Sequence, residues 1–291
     1  MRYPRLFTIG AVFLLLGVSG FANAPPATGV SKIVVIVMEN KEYNQIIGSP
    51  AAPYINSLAS RYTLLTNYFA VARVSLADYL TITGGSTFGI TENCNDCFIN
   101  ATNLGDQLEK VGLSWKTYQE SMPSPCFLGD AYPYMQKHNG FIYYNDIKDN
   151  GPRCNAHVVP FSQLSSDMNS GHLPNFSLIT PNMCSDMHDC SIATGDAWLA
   201  KQVPAILSHL GPTGIVVITF DEGTTNAGCC FVAHGGHIVT LIAGPGAKLN
   251  NKINTAVDAY SLLRLVEDNW GLSRLLYAGC VCTPAIVGWR R

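Results

Sequence analysis

The stretch "IVVIVMENKEY", residues 33–43, joins an unbroken apolar run to a Glu39-Asn40 pair. Apolar residues in succession, without alternation, mark a strand covered on both faces, as in a parallel sheet flanked by helices. A strand is therefore expected over Ser31–Met38. Two later segments repeat the pattern: "NFSLIT" (175–180) leads through Pro181 into Asn182, Asp186, His188 and Asp189, and "GIVVITF" (214–220) ends in Asp221-Glu222. Ligands of open α/β sheets sit beyond the carboxyl ends of the strands. If the three strands are parallel, their polar ends gather along one edge.

Working outward, helices are expected over Ala52–Arg61, from Ser75 through "LADYLTIT" to Gly84-Gly85, over Asn103–Val111 ahead of Gly112, over Ala193–Leu210 with a bend at Pro204, and over 256–271. Further strands are expected in "SWKTYQE" (114–120) and "HIVTLIAG" (237–244). Residues 121–171, rich in Pro, Gly, Asn, Tyr and Cys, lack periodicity and read as a long excursion that shapes a binding site. Alternating strands and helices imply an α/β fold with a mostly parallel sheet covered on both sides. No repeat or low-complexity segment interrupts it.

Arg2 and Arg5 precede an apolar run, Leu6–Val18, and Ala22-Asn23-Ala24 supplies small residues for cleavage, so residues 1–24 read as a secretory signal peptide. The run is shorter than the roughly 20 residues a spanning helix needs, and no later segment is apolar enough to span. Residues 25–291 form one expected domain, exported to the periplasm or outside the cell. The formal net charge is −2, and with no basic run a nucleic-acid partner is excluded. All ten cysteines follow residue 90, which in an exported chain reads as disulfides, with 94–97 and 184–190 as local bridges. Zinc held by Cys94, Cys97, Cys229 and Cys230 with His234 and His237 is the alternative.

Grouping Glu39, Asp221 and Glu222 without a counter-ion would raise their pKa values or demand a cation. Carboxylate and amide oxygens are hard ligands, so the expected cofactor is one divalent metal ion. The segments "VVIVMENKEYNQIIG", "YFAVARVSLADYLTITGG", "YMQKHNGF", "TPNMCSDMHD" and "VVITFDEG" occur in this order across residues 31–272. In them the chain resembles the phosphoesterase family of bacterial acid phosphatases and phosphatidylcholine-hydrolysing phospholipases C. The resemblance implies a three-layer α/β sandwich like that of alkaline phosphatase, with a central mostly parallel mixed sheet. It also implies that Glu39, Asn40, Asp221 and Glu222 hold the metal, and that Ser75 is both ligand and nucleophile through a phosphoseryl intermediate. Lys137 and His138 match the family's Lys-His-Asn and would hold phosphate oxygens.

His188 is the first candidate for the acid that protonates the departing alkoxide, with Asp186 or Asp189 orienting its ring. His237 begins a strand and reaches either the site or a structural role. Where the family has His-Pro-Ser-x-Pro-Asn-Tyr, this chain has Arg73, Val74, Ala77 and Asp78 in place of the His, both prolines and the Asn; many relatives carry a His where Ala259 stands. Arg73, with its fork of donors, can take a phosphate contact.

These features together point to a metal-dependent phosphoric ester hydrolase, first an acid phosphatase on small phosphomonoesters. A phospholipase C acting on phospholipid, and an extracellular protein that binds phosphate ligands without turnover, are the alternatives. A serine esterase would use Ser86, in Gly84-Gly85-Ser86, though Gly-x-Ser-x-Gly is not met. A sulfatase would need Cys or Ser before x-Pro-x-Arg, which is absent.

Overall fold

The computed structural model describes Met1 and residues 29–291. The expected signal peptide and its cleavage point, Met1 apart, lie outside the described residues. The described chain forms nine strands: β1 (Ile33–Met38), β2 (Thr63–Phe69), β3 (Trp115–Gln119), β4 (Val158–Pro160), β5 (Phe176–Thr180), β6 (Ile215–Phe220), β7 (His237–Ala243), β8 (Asn251–Ile253) and β9 (Val257–Asp258). They make one sheet in the order β4-β3-β5-β1-β6-β7-β2-β8, with β9 also beside β2. Every pairing is parallel except those of β7, which runs against both β6 and β2.

The expected central strands are neighbours: β1 lies between β5 and β6, parallel to both. All residues of β1, β5 and β6 are buried. Each Val or Ile taken out of water contributes about 1.5–3 kcal/mol, so these strands fix the centre of the core. The helix Pro53–Arg61 packs against Ile192–His209, and Ser75–Gly84 against Ala259–Trp270, completing a three-layer α/β arrangement. Ser75–Gly84 is buried at every position, and Gly85 ends it with φ +75°, a left-handed cap that glycine takes without strain. The helix at Ile192 starts where Ser191 accepts a bond from the N–H of Thr194 and continues through Pro204.

Residues 121–171 are more ordered than their composition suggests. They hold three short α-helices, Asn145–Lys148, Gly151–His157 and Gln163–Asn169, two 3-10 turns, Gln136–His138 and Gly140–Tyr143, and edge strand β4, and the Cys126–Cys154 bond ties the start of the segment to the helix Gly151–His157. All ten cysteines are paired, as 94–97, 126–154, 184–190, 229–230 and 280–282, which removes the zinc alternative because thiolates are its ligands. Among the described residues no helix is long and apolar enough to cross a membrane.

Candidate active site

Met38 pairs with Phe220 in the β1–β6 register, so the residues that follow, Glu39 and Asp221, leave the sheet side by side. Their backbones are then stitched to each other and to the β5 loop. The N–H of Asp221 donates to Met38 O at 2.9 Å, that of Glu39 to Asp186 O at 2.9 Å, and that of Asn40 to Asp221 Oδ1 at 3.0 Å. Asn40 has φ +53°, a conformation its short polar side chain tolerates, and the turn carries Nδ2 to 3.5 Å from Glu39 Oε2.

Ser75 opens the helix Ser75–Gly84 opposite this edge. Its Oγ donates to Glu39 Oε2 at 3.4 Å, and the hydroxyl of Tyr79, one turn on, donates to Oε1 at 2.8 Å. The positive end of a helix favours an anion where Ser75 sits. The entry to this helix is held from two sides. Asp78 Oδ1 accepts from the N–H groups of Val71 and Ala72, both at 2.9 Å, and residues 70–71 exchange backbone bonds with 234–236. Gly235 is required there, since a Cβ would lie 1.8 Å from Ala72 O.

Lys137 and His138, grouped by sequence as phosphate contacts, have different surroundings. His138 is buried between two carboxylates, Nε2 3.2 Å from Glu39 Oε2 but off the hydrogen-bond direction, and Nδ1 3.5 Å from Asp186 Oδ2. Its ring stacks on Tyr79. Its Nε2 thus faces the Glu39 carboxylate inside the acid cluster. Lys137 is partly exposed, with Nζ 3.4 Å from His188 Nε2. Asp189, not Asp186, meets the ring of His188: its Oδ1 is 2.7 Å from Nδ1, and that bond pulls the Asp189 carboxyl below its usual range. Asp186 Oδ1 instead accepts the backbone N–H of His188 at 2.7 Å.

His237 has a packing role. Its ring lies between Tyr43 and Phe69, and Nε2 is 2.9 Å from Thr66 O. Glu42, passed over in the sequence, ties the edge together: Oε1 accepts from Thr224 and Thr225 N–H at 2.9 and 2.8 Å, and Oε2 from His237 N–H at 3.1 Å. Tyr79 was equally hidden. Its sequence signals are that it follows Ser75 by four positions, and so shares a helix face, and that it keeps the Tyr that closes the resembled motif. Arg73 is exposed, with one guanidinium nitrogen 3.3 Å from Asn226 Oδ1.

Burial dominates the electrostatics. It pushes Glu39 up to about 8, helped by the charge of Asp186, and lifts Asp221 well above the carboxylate range, with Glu39 adding to the effect. Glu222 is pushed up to about 8 by burial and then by Asp221, against the opposing charges of Arg73, Lys137 and His138. Four buried atoms of the site, Asp186 Oδ2, Asp221 Oδ2, Glu222 Oε2 and His138 Nε2, have no hydrogen-bond partner among the described residues. Glu39, His138 and Asp186 offer ligand atoms all within 4.8 Å of one another. Orphaned carboxylate oxygens crowded together, with an imidazole nitrogen, suit a divalent cation.

A model of the phosphoesterase family matches residues 49–273, beginning after Glu39 and Asn40. A protein of Mycobacterium tuberculosis named phosphatidylinositol-3-phosphatase is 30% identical, covering 95% of this chain and 91% of its own length. An acid phosphatase of Aspergillus fumigatus is 30% identical over 82% of this chain, and a phosphate-repressible acid phosphatase of Penicillium chrysogenum 30% over 87%. The chain spans only 54% and 64% of those two fungal relatives. A solved alkaline phosphatase superfamily protein from Vibrio parahaemolyticus superposes with TM-score 0.57 at 15% identity, covering 84% of this chain and 68% of that one. Human ectonucleotide pyrophosphatase/phosphodiesterase 5 gives TM-score 0.57 at 13% identity over 86% and 97% of the two chains. Those two structures share the fold; the family match and the relatives at 30% identity make this chain a member of the phosphoesterase family, a hydrolase of phosphoric esters.

Proposed function

We propose that the chain is an exported, metal-dependent phosphomonoesterase that works in acid on small phosphomonoesters, with Ser75 as nucleophile. One observation carries this reading: a buried hydroxyl at the first residue of a helix lies 3.4 Å from Glu39, inside a cluster of acids whose oxygens lack partners. Fungal relatives named acid phosphatase support the substrate class, and a relative named for a phosphomonoester of a lipid agrees with the same chemistry. The expected leader and five disulfides support export.

Glu39, Asn40, Ser75, Asp221 and Glu222 would hold one divalent ion, with His138 and Asp186 beside them. When bound, the ion supplies positive charge that favours an ionised Ser75 hydroxyl and offsets charge on the phosphoryl oxygens. Ser75 Oγ forms a bond to phosphorus as the bond from phosphorus to the leaving oxygen breaks. His188, its Nδ1 committed to Asp189, gives the departing oxygen a proton from Nε2. Water then attacks the phosphoserine, returning a proton to His188, and phosphate leaves. Arg73 and Lys137 hold phosphate oxygens as cations near Glu222.

The test is release of inorganic phosphate from small phosphomonoesters, abolished by a chelator and restored by a divalent ion, paired with elemental analysis of the purified protein. Release of phosphorylcholine from phosphatidylcholine, with none of phosphate from monoesters, would replace this reading with a phospholipase C. Tight binding of phosphate without any product would make the chain a non-catalytic binder.

A further inference from the structure

We infer that the hollow beside Ser75 is a seat for the leaving group, and that it selects phosphomonoesters of flat, ring-bearing alcohols or phenols; this rests on the reading of Ser75 as nucleophile. The hollow has a volume of about 560 Å³, and one wall is the segment Val71–Val74, the chain that runs directly into Ser75. Arg73 and Val74 of that wall are the two residues that precede Ser75 in the chain.

The other walls carry ring faces. Tyr260 is buried and stacks on Tyr277 with centroids 5.1 Å apart and planes 26° apart, so a fixed ring backs one that is 41% exposed. Phe231, 90% exposed, also lines the hollow. An aromatic side chain left in water is unfavourable, and Phe231 is also held at φ +78°, a backbone region that bulky residues avoid. The cost of exposure is removed if a ring of the substrate covers it. The charged lining residue is Arg73, His234 stands with it in the lining, and no acidic side chain lines the hollow. His234 Nδ1 is spent on Val232 O at 2.8 Å. An anionic ester with an uncharged flat body therefore meets cation and ring faces without repulsion. Aromatic faces reward planarity through offset stacking, which an acyl chain cannot supply.

Phenyl phosphate, a nucleoside 5′-monophosphate, decyl phosphate and glycerol 2-phosphate are compared by kcat/KM in the full chain and in Phe231→Ala and Tyr277→Ala. Either substitution should lower kcat/KM for the ring-bearing esters about tenfold, the size of a lost stacking contact, while glycerol 2-phosphate changes less than about twofold. Whichever of phenyl phosphate and the nucleotide loses more identifies the source of the ring. Equal losses on glycerol 2-phosphate, or on decyl phosphate and phenyl phosphate alike, overturn the proposal. Phe231 is exposed enough that its removal leaves the core untouched, so its variant decides the matter if Tyr277→Ala does not fold. Calorimetric binding of phenylphosphonate against methylphosphonate separates this proposal from the nucleophile assignment. If no ester is turned over, the Ser75 reading fails, yet tighter binding of phenylphosphonate that Phe231→Ala removes still supports the seat. Equal binding of the two phosphonates sinks it.

Discussion

Ser75 Oγ lies 3.4 Å from Glu39 Oε2 across 36 positions of sequence, and both side chains are buried. A hydroxyl used only as a helix cap would turn back to its own helix, whereas this one faces a carboxylate on another element. Ser75→Ala should cut phosphate release by at least about a thousandfold while leaving the thermal midpoint nearly unchanged. Ser86→Ala should retain activity, because Ser86 Oγ accepts the N–H of Phe88 and serves the turn after the helix. A reversed outcome in a steady-state assay of the two variants would reassign the nucleophile.

His188 gives a test that depends on the leaving group. A proton from Nε2 matters for a basic alkoxide and little for p-nitrophenolate, which departs unaided. His188→Ala should therefore lower kcat/KM, which reports formation of the phosphoserine, for an alkyl phosphate by about a hundredfold or more, and for p-nitrophenyl phosphate by only a fewfold. Equal losses would show that the ring acts in binding. Asp189→Asn should copy the effect in weaker form, since Asp189 holds Nδ1 at 2.7 Å.

Glu39, Glu222 and Glu267 are pushed up to about 8 in the folded chain, each chiefly by burial, from an ordinary 4.5. Between those values the native protein keeps protons that the unfolded chain has released. The associated stability is complete below about 4.5 and is lost as pH rises through about 8. The melting temperature of chelator-treated protein should fall from about pH 5 to about pH 8, and Glu267→Gln, away from the site, should flatten part of that slope. A divalent ion should oppose the fall by favouring the charged form of Glu39 and Glu222. A melting temperature that rises over the same interval in the metal-free protein would contradict the assignment.

Asp78 stands where the resembled family has Asn, and its Oδ1 explains the exchange: it accepts both Val71 and Ala72 N–H, a task an amide oxygen performs equally well. Oδ2 has no partner, and burial drives the carboxyl well above its usual range. Asp78→Asn should keep activity and gain stability at neutral pH. Asp78→Ala orphans two N–H groups and should cost about 2–4 kcal/mol in urea unfolding. Equal stability of the Asn and Ala variants would deny the anchoring role.

The sequence exposed the centre of the sheet because β1, β5 and β6 are unbroken apolar runs, and burial on both faces leaves that mark. It concealed β2, whose pairing with β7 shifts register between Leu65 and Tyr68, so its apolar residues follow no single period. The helices of four and seven residues between 145 and 169 are too short to display a 3.6-residue repeat. Convergence of Glu39, Asp186 and Asp221 was legible from strand ends alone, given parallel neighbours. The depth of His138 was not: nothing in "QKHNG" says that its ring enters between two acids, since that position depends on the packing of residues 136–144 against the helix Ser75–Gly84.

The cysteine pairs are separated by 3, 28, 6, 1 and 2 positions. None of them joins one strand of the sheet to another. Each ring is small, so each contributes little configurational restraint to the denatured chain, with Cys126–Cys154 the largest contributor. Treatment with a thiol should slacken the rim of the molecule while its hydrophobic centre persists, and air oxidation should restore four of the five native pairs without a shuffling catalyst, because those partners are already neighbours along the backbone.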